Sequence, residues 1–435
     1  MLIDFTIKNF RSFKDKTVLS AETGERLSKY KETNTFENER IPVLKSLLIF
    51  GPNGAGKSQL FHALLLMQNM VLNGGTKTVT QRLPYYPFKF NLDSDELPTS
   101  FTIRFEKESV IYTYSFSYNA GAIKSEKLFI KKNRKEQTYF EFKNGNPITL
   151  PKTLRSFSKT LRKNALFIYV AQQQNDPAAT TVFKWFAQDL LFVNPANGVP
   201  ERFLQLMKVP ELKHEMVSFL SFADFNITNI VVRKEAIHYP PEMEKAFQQY
   251  GGPEPPKEVW QLYTVHQVYD EAGHVVGQDE LALQEESVGT QKLFVIALAM
   301  IFSQINSNHK TLLIDEFDDS LHYELSSALV KIFNSRTNNN QYLISTHNFG
   351  LLDTGVRVDQ IYFVEKDFMG QSDLKSAFDF TDARGNARRD ARFAKKYIEG
   401  QYGAVPVIDT ENLIDVMKNV KQRIKDVANG EEKKA

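Results

Sequence analysis

Gly51-Pro52-Asn53-Gly54-Ala55-Gly56-Lys57-Ser58 satisfies the pattern G-x-x-x-x-G-K-[S/T] at every fixed position. It follows an apolar run, Leu44 to Phe50, and opens a helical pattern over Leu60 to Val71, which is the context such a loop needs. Glycines let the backbone curl until several N–H groups converge on one anion, and the helix start adds a favourable dipole. Phosphate suits that arrangement. Gly51, Asn53, Gly54 and Gly56 would shape the cradle, Lys57 would reach the β- and γ-phosphates, and Ser58 would offer a hydroxyl to Mg²⁺, so ATP with Mg is the expected ligand. A second segment, Thr311-Leu312-Leu313-Ile314-Asp315-Glu316, is an apolar strand ending in two acids. Asp315 is expected to hold the metal through water, and Glu316 to orient or deprotonate the attacking water. A third, Tyr342-Leu343-Ile344-Ser345-Thr346-His347, runs out into a histidine. At the C-terminal edge of the same parallel sheet, His347 would face the γ-phosphate.

The elements that must position these groups follow from hydrophobic period. Ile3, Phe5 and Ile7 alternate as a strand, and residues 100–142 alternate through an antiparallel meander with turns at Asn119-Ala120-Gly121 and Asn144-Gly145. Residues 151–163 carry Leu154, Phe157 and Leu161 at helical spacing, and Phe167 to Ala171 reads as a short apolar strand. Residues 178–222 read as helix in pieces, broken by Pro195, Pro200 and Pro210. Strands are expected at 226–238 and 259–269, separated by the loop signal Tyr250 to Pro256. After Ser287 the pattern becomes helix 288–305, strand 311–314, helix 321–333, strand 342–345 and strand 360–364. That alternation predicts a parallel sheet with helical crossovers, and a last amphipathic helix is expected over 410–428.

The chain has 435 residues, 42% hydrophobic and 24% charged, which is globular composition and excludes wholesale disorder. No cysteine is present, which excludes disulfides, thiol catalysis, iron–sulfur clusters and Cys-ligated zinc. The longest apolar run, Leu293 to Phe302, is half of what a membrane helix requires, and Asp4 interrupts any secretory signal. A cytoplasmic protein is expected.

Taken together and in this order, these segments resemble ABC-type ATPases, in the layout of the SMC/RecF/OLD branch. Asn9-Phe10-Arg11-Ser12-Phe13 resembles the element that opens those ATPases, where Arg11 and Ser12 would lie near nucleotide. Glu286-Ser287-Val288-Gly289-Thr290-Gln291 resembles their signature motif, in which Ser287 and Gly289 would bind the γ-phosphate held by a second copy. Read without the resemblance, Ser287 is equally a helix N-cap. A Q-loop glutamine that would join the metal site is expected at Gln173, with Gln172 and Gln174 as alternatives. Asp318 to His322 resembles a D-loop, and Arg389 to Pro406 resembles the ending of the RloA-like phage-defence subgroup, related to PARIS and Septu ATPases.

The resemblance implies an α/β fold: an ABC-type P-loop ATPase head with an antiparallel β subdomain and a mixed α/β insertion, without a coiled-coil arm. The expected divisions are 1–174 for the first part of the head, 175–285 for an insertion or lid, 286–408 for the rest of the head, and 409–435 for a C-terminal helix and tail. It also implies a head-to-tail dimer or larger even assembly, acting as sensor or regulator of a separate effector such as a Toprim or HNH nuclease or a toxin. Residues 407–435 are too few for a fused Toprim domain. Two other readings are a RecF- or SMC-like DNA repair ATPase and an ATP-stabilised scaffold with little turnover.

The formal charge of +2 averages over an uneven distribution. Between Ala122 and Lys163, Lys124, Lys127, Lys131, Lys132, Arg134, Lys135, Lys143, Lys152, Arg155, Lys159, Arg162 and Lys163 face only Glu126, Glu136 and Glu141. Such a segment could track nucleic-acid phosphates, dock an acidic partner, or be a solvated face. A second basic cluster spans Arg384 to Lys396.

Overall fold

A computed structural model describes residues 1–423 except 38, 77, 134, 195–200, 223–225, 238, 241, 244–255, 306–308, 381–392, 401–410, 412–413 and 422. Most of the Tyr250–Pro256 loop, the Arg384–Arg392 part of the second basic cluster, the Gln401–Pro406 ending and the apolar positions Leu413, Ile424 and Val427 therefore lie outside the described residues.

In chain order the strands are β1 (Leu2–Lys8), β2 (Thr17–Ser20), β3 (Thr35–Phe36), β4 (Val43–Leu44), β5 (Ser46–Phe50), β6 (Thr99–Lys107), β7 (Val110–Tyr118), β8 (Ile123–Lys132) and β9 (Lys135–Lys143). They continue with β10 (Asn146–Thr149), β11 (Leu190–Val193), β12 (Ile227–Ala236), β13 (Glu258–Tyr269), β14 (Val275–Ala282), β15 (Thr311–Ile314), β16 (Gln341–Thr346), β17 (Ile361–Lys366) and β18 (Ser372–Ser376). Two large sheets dominate. One is antiparallel, ordered β10-β9-β8-β7-β6-β1-β2, and the other is ordered β11-β15-β16-β5-β17-β18. In the second, β11, β15, β16, β5 and β17 run parallel and only β18 is antiparallel.

The parallel strands are short and buried along their whole length, as strands covered on both faces must be. Alternation sends their side chains into two cores. Leu47, Ile49, Leu313 and Leu343 face the antiparallel sheet and the helix Lys57–Asn73. Leu48, Phe50, Leu312, Ile314 and Ile344 face the helices Val288–Ile305 and Tyr323–Phe333. The fold is thus mixed α/β, with the parallel sheet as its middle layer. A third, smaller sheet, β12-β13-β14, packs against the helix Pro210–Leu220.

Three local readings need correction. Phe167 to Ala171 is not a strand but the start of a helix, Phe167–Gln173, because both oxygens of the buried Glu126 accept its first N–H groups, from Phe167 at 2.6 Å and Ile168 at 2.8 Å. Leu190–Val193, inside the stretch read as helical, is β11, and it extends the parallel sheet beside β15. Residues 151–163 hold only a 3₁₀ turn, Lys152–Leu154, and one α-helical turn, Arg155–Ser158, so the basic side chains there do not share a long helix face.

Glu126 also accepts from the Tyr114 hydroxyl at 2.9 Å. Burial nevertheless pushes its carboxyl up from 4.5 to about 7, against the pull of those three donors. A carboxyl whose folded pKa is raised holds its proton better folded than unfolded, so its contribution is intact below 4.5 and is lost as pH rises toward 7. The thermal midpoint of Glu126→Gln should therefore gain on that of wild type between those pH values, by the equivalent of about 3 kcal/mol. Midpoints that shift in parallel across this window would show that Glu126 titrates normally.

Candidate functional site

β5 delivers the chain directly into the turn 51–56, and the helix Lys57–Asn73 starts from Gly56 at a left-handed φ of 119°. A Cβ on Gly56 would lie 2.4 Å from Ser372 Oγ and 2.9 Å from Ser12 Oγ, so the backbone fits there only without a side chain. Ser372 fastens the turn from β18, donating its hydroxyl to the Ala55 carbonyl at 2.5 Å and its N–H to the Ser12 carbonyl at 2.7 Å. Ser12 Oγ is buried beside this turn without a hydrogen-bond partner in the chain. Lys57 Nζ donates to the carbonyls of Gly51 at 2.7 Å and Pro52 at 3.1 Å, and lies 3.4 Å from His347 Nδ1. Burial lowers the Lys57 ammonium to about 8, with Asp315, Glu316 and Asp318 pulling the other way.

A cavity of about 390 Å³ opens over this turn. Arg11, Ser12, Asn53, Gly54, Gly56, Lys57, Ser58, Glu316 and His347 all contribute to its lining. The parallel register explains how residues so distant in sequence meet. Ile314 of β15 pairs with Ile344 of β16, and Thr346 of β16 pairs with Phe50 of β5. The P-loop, the acidic pair and the histidine therefore leave adjacent strands at one edge of the sheet.

Asp315 does not line the cavity; its Oδ1 accepts a hydrogen bond from Ser345 Oγ. Ser345 Oγ also accepts the Glu316 N–H at 2.8 Å, and its carbonyl accepts the Phe317 N–H at 2.8 Å. Ser345 thus sets the path of the chain through both acids. Glu316 sits at φ 49°, a left-handed conformation unusual for a residue with a side chain. Asp318 Oδ1 is a second buried oxygen without a partner. Two orphaned oxygens near a cavity lined by a lysine, an arginine and a serine hydroxyl fit a hydrated phosphate–metal group. Ser58 and Asp315 are the residues whose hydroxyl and carboxylate would hold Mg²⁺.

Arg11 turns away from a simple phosphate role. Its guanidinium lies between the rings of Phe10 and Tyr86, 5.5 and 5.3 Å from their centroids. Nη1 donates to Gln59 Oε1 at 2.6 Å and lies 2.9 Å from His62 Nδ1. Burial, with Arg11 adding to it, keeps His62 below its usual imidazole range.

Ser287 and Gly289 are not among the cavity's lining residues. Ser287 precedes the helix Val288–Ile305, and its Oγ accepts the Thr290 N–H at 3.1 Å and pairs with Thr290 Oγ1 at 2.8 Å. A Cβ on Gly289 would lie 2.4 Å from the Ser320 carbonyl oxygen, so the signature segment rests directly on the loop after Glu316. Lys292, one turn further along and buried, donates to the Glu316 carbonyl. On the other side the buried Glu286 accepts from Thr264 Oγ1 and lies 2.7 Å from His266 Nε2, both on β13. Gln173 ends its helix exposed and away from the cavity lining.

The basic segment is carried by β8, β9 and the turns after them. Lys127 is paired with Glu141 at 2.6 Å, and Arg162 donates to the Thr76 carbonyl at 2.6 Å.

With the geometry in place, the comparisons with known proteins can be weighed. Residues 47–353 match the family described as "AAA domain, putative AbiEii toxin, Type IV TA system". The chain belongs to that family. As an AAA-family P-loop ATPase it is also similar in structure to three SMC heads. The SMC head bound to the C-winged-helix domain of ScpA gives a TM-score of 0.44 at 13% identity, covering 86% of this chain and 97% of that one. The Thermotoga maritima SMC head gives 0.36 at 13%, covering 86% and 98%. The Smc head with an extended coiled coil, bound to a ScpA domain derived from Pyrococcus furiosus, gives 0.40 at 12%, covering 86% and 96%. No curated protein matches the sequence. Among the described residues no helix is long and apolar enough to cross a membrane.

Sequence reading missed Ser345, Lys292, Ser372 and the lining residues Tyr86, Pro87, Lys89, Phe90 and Lys366. Ser345 left one signal: it is polar inside an otherwise apolar strand end. Replacing it with alanine removes the hydrogen bonds that orient Asp315 and Glu316. Steady-state phosphate release by Ser345→Ala should fall about 10- to 100-fold, with ATP affinity little changed. A wild-type rate would show that these bonds do not position the acids.

Proposed function

We propose that the chain binds and hydrolyses Mg-ATP, that two copies close head-to-tail around the nucleotide, and that the cycle regulates a separate effector, a nuclease or toxin, in anti-phage defence. The observation that carries the ATPase part is the convergence of Lys57, Glu316 and His347 on one cavity from three adjacent parallel strands. In this reading Lys57 exchanges its Gly51 and Pro52 carbonyls for phosphate oxygens. Glu316, exposed at the cavity, takes the proton of the attacking water, and His347 meets the γ-phosphate. Bound Mg²⁺ supplies charge neutralisation on the phosphates, with Ser58 and Asp315 as its protein partners.

Ser287 and Gly289 support the dimer, because they head the Val288–Ile305 helix without lining their own chain's cavity. In the proposed assembly they reach the γ-phosphate held by the second copy. The 175–285 region would act as the lid between the two halves of the head, and its sheet is tied to the signature segment through Thr264, His266 and Glu286. The family's own description, which names a toxin of a TA system, favours a partner protein over a solitary enzyme. The basic segment keeps a DNA-stimulated ATPase as the second reading, on the strength of its local charge excess.

Glu316→Gln keeps the shape of the site and removes the base. It should reduce phosphate release at least about 100-fold and run as a dimer on size exclusion with light scattering when Mg-ATP is present. Wild-type turnover would remove Glu316 from the mechanism. A variant that stays monomeric with ATP bound would remove the head-to-tail assembly.

A further inference from the structure

The cavity has two chemically different ends. The turn 51–58 lines one with backbone amides, Lys57 and Ser58, and Tyr86, Pro87 and Phe90 line the other. These three belong to a strap, residues 84–97, that the Asn9–Phe13 element holds in place. Asn9 Nδ2 donates to the carbonyls of Ser94 at 2.9 Å and Leu97 at 2.7 Å, its Oδ1 accepts the Phe88 N–H at 3.1 Å, and the Arg11 N–H binds the Tyr86 carbonyl at 2.8 Å.

Phe90 is the unusual member. It is 72% exposed, yet its ring is pinned from two sides. One side meets the buried Phe88 edge-on, with centroids 5.7 Å apart at 84°. On the other, a Cβ at Gly370 in the β17–β18 turn would lie 2.7 Å from the ring, so only glycine lets that turn approach. Tyr86 is 46% exposed and its ring is backed by the Arg11 guanidinium. A large aromatic ring held still, with area left open to a cavity, has paid its ordering entropy in advance and is suited to stacking.

We propose that the Tyr86–Phe90 wall is the nucleobase subsite and that it holds a purine by its face, without reading its edge. The inference rests on the ATPase reading above, since the phosphates fix which end of the nucleotide meets the wall. Face recognition follows from the side chains available. Glu316 is the lone carboxylate in the lining, and it stands with the phosphate-directed residues. The side-chain oxygen of Gln59 is already engaged by Arg11 at 2.6 Å. Lys89 and Lys366, the remaining polar side chains beside the wall, are donors alone and cannot accept from the adenine amino group or the guanine N–H groups. Stacking is sequence-tolerant, because every base has a π-face, and it is stronger for the larger purines.

The test is equilibrium binding of Mg-ATP, Mg-GTP, Mg-UTP and inorganic triphosphate to the full chain and to Phe90→Ala and Tyr86→Ala. Wild type should bind ATP and GTP within tenfold of each other, both more tightly than UTP, and all three more tightly than triphosphate. Phe90→Ala should lose roughly tenfold of the advantage of ATP over triphosphate while triphosphate affinity stays at the wild-type value. Tyr86→Ala reports on the second ring, and circular dichroism checks that it folds. An unchanged ratio of ATP to triphosphate affinity in both variants would overturn the subsite, as would discrimination of more than tenfold between ATP and GTP, which requires edge recognition. If wild type binds neither triphosphate nor any nucleotide, the ATPase reading itself fails and takes the subsite with it.

Discussion

The site depends first on the register of β16 between β5 and β15. All three strands are apolar and fully buried, and apolar side chains alone tolerate sliding by two residues, because such a shift returns each side chain to the same face. A slip of that size would carry His347 and the acidic pair about 7 Å along the sheet relative to the P-loop. Two buried glutamines forbid it. Gln341, at the start of β16, donates to the carbonyls of Leu2 and Leu44 at 3.0 and 3.1 Å and accepts from Leu2 N–H and Thr311 Oγ1 at 3.0 and 3.1 Å. Gln360, before β17, donates to Ser46 and Asn334 and accepts from Asn34 and the Arg357 N–H. A slipped register would strand these amides without partners in a dry interior, at about 1–3 kcal/mol for each unmade bond.

At the opposite edge the chain is held by a different set of contacts. Ser345 orients Asp315 and Glu316 from the neighbouring strand, and Lys292 and Gly289 fasten the following loop to the head of the signature helix. Burial lowers Lys292, but Asp319, Asp318, Glu316 and Asp315 surround it and favour its charge. The acids, the loop after them and Ser287 therefore move as one piece. In a head-to-tail pair this piece would link one copy's catalytic acid to the other copy's γ-phosphate. The smaller sheet joins the same piece through Glu286, which gives residues 227–282 a mechanical route to the site.

Much of this was legible in the sequence wherever local pattern and local physics agree. The glycine spacing of 51–58, the acids after Ile314 and the histidine after Thr346 identify the phosphate end, because each motif is contiguous and follows a buried strand. The meander was legible because its alternation is regular. What the sequence hid were contacts set by tertiary neighbours. Phe167 to Ala171 has the composition of a strand, yet Glu126, some 40 residues earlier, caps it as a helix. Leu190–Val193 is too short for its period to show, and only its partner β15 makes it a strand. Gln173 was placed by analogy with a strand that does not exist. Phe90 reads as one more apolar residue until the Gly370 turn is seen to pin it.

The central claim is that Lys57, Glu316 and His347 form one site that hydrolyses Mg-ATP. Release of inorganic phosphate by the purified chain, measured beside Lys57→Ala, tests it most directly. The account predicts steady turnover by wild type and background by the variant. Equal rates, or none from either protein in the presence of Mg-ATP, would contradict it.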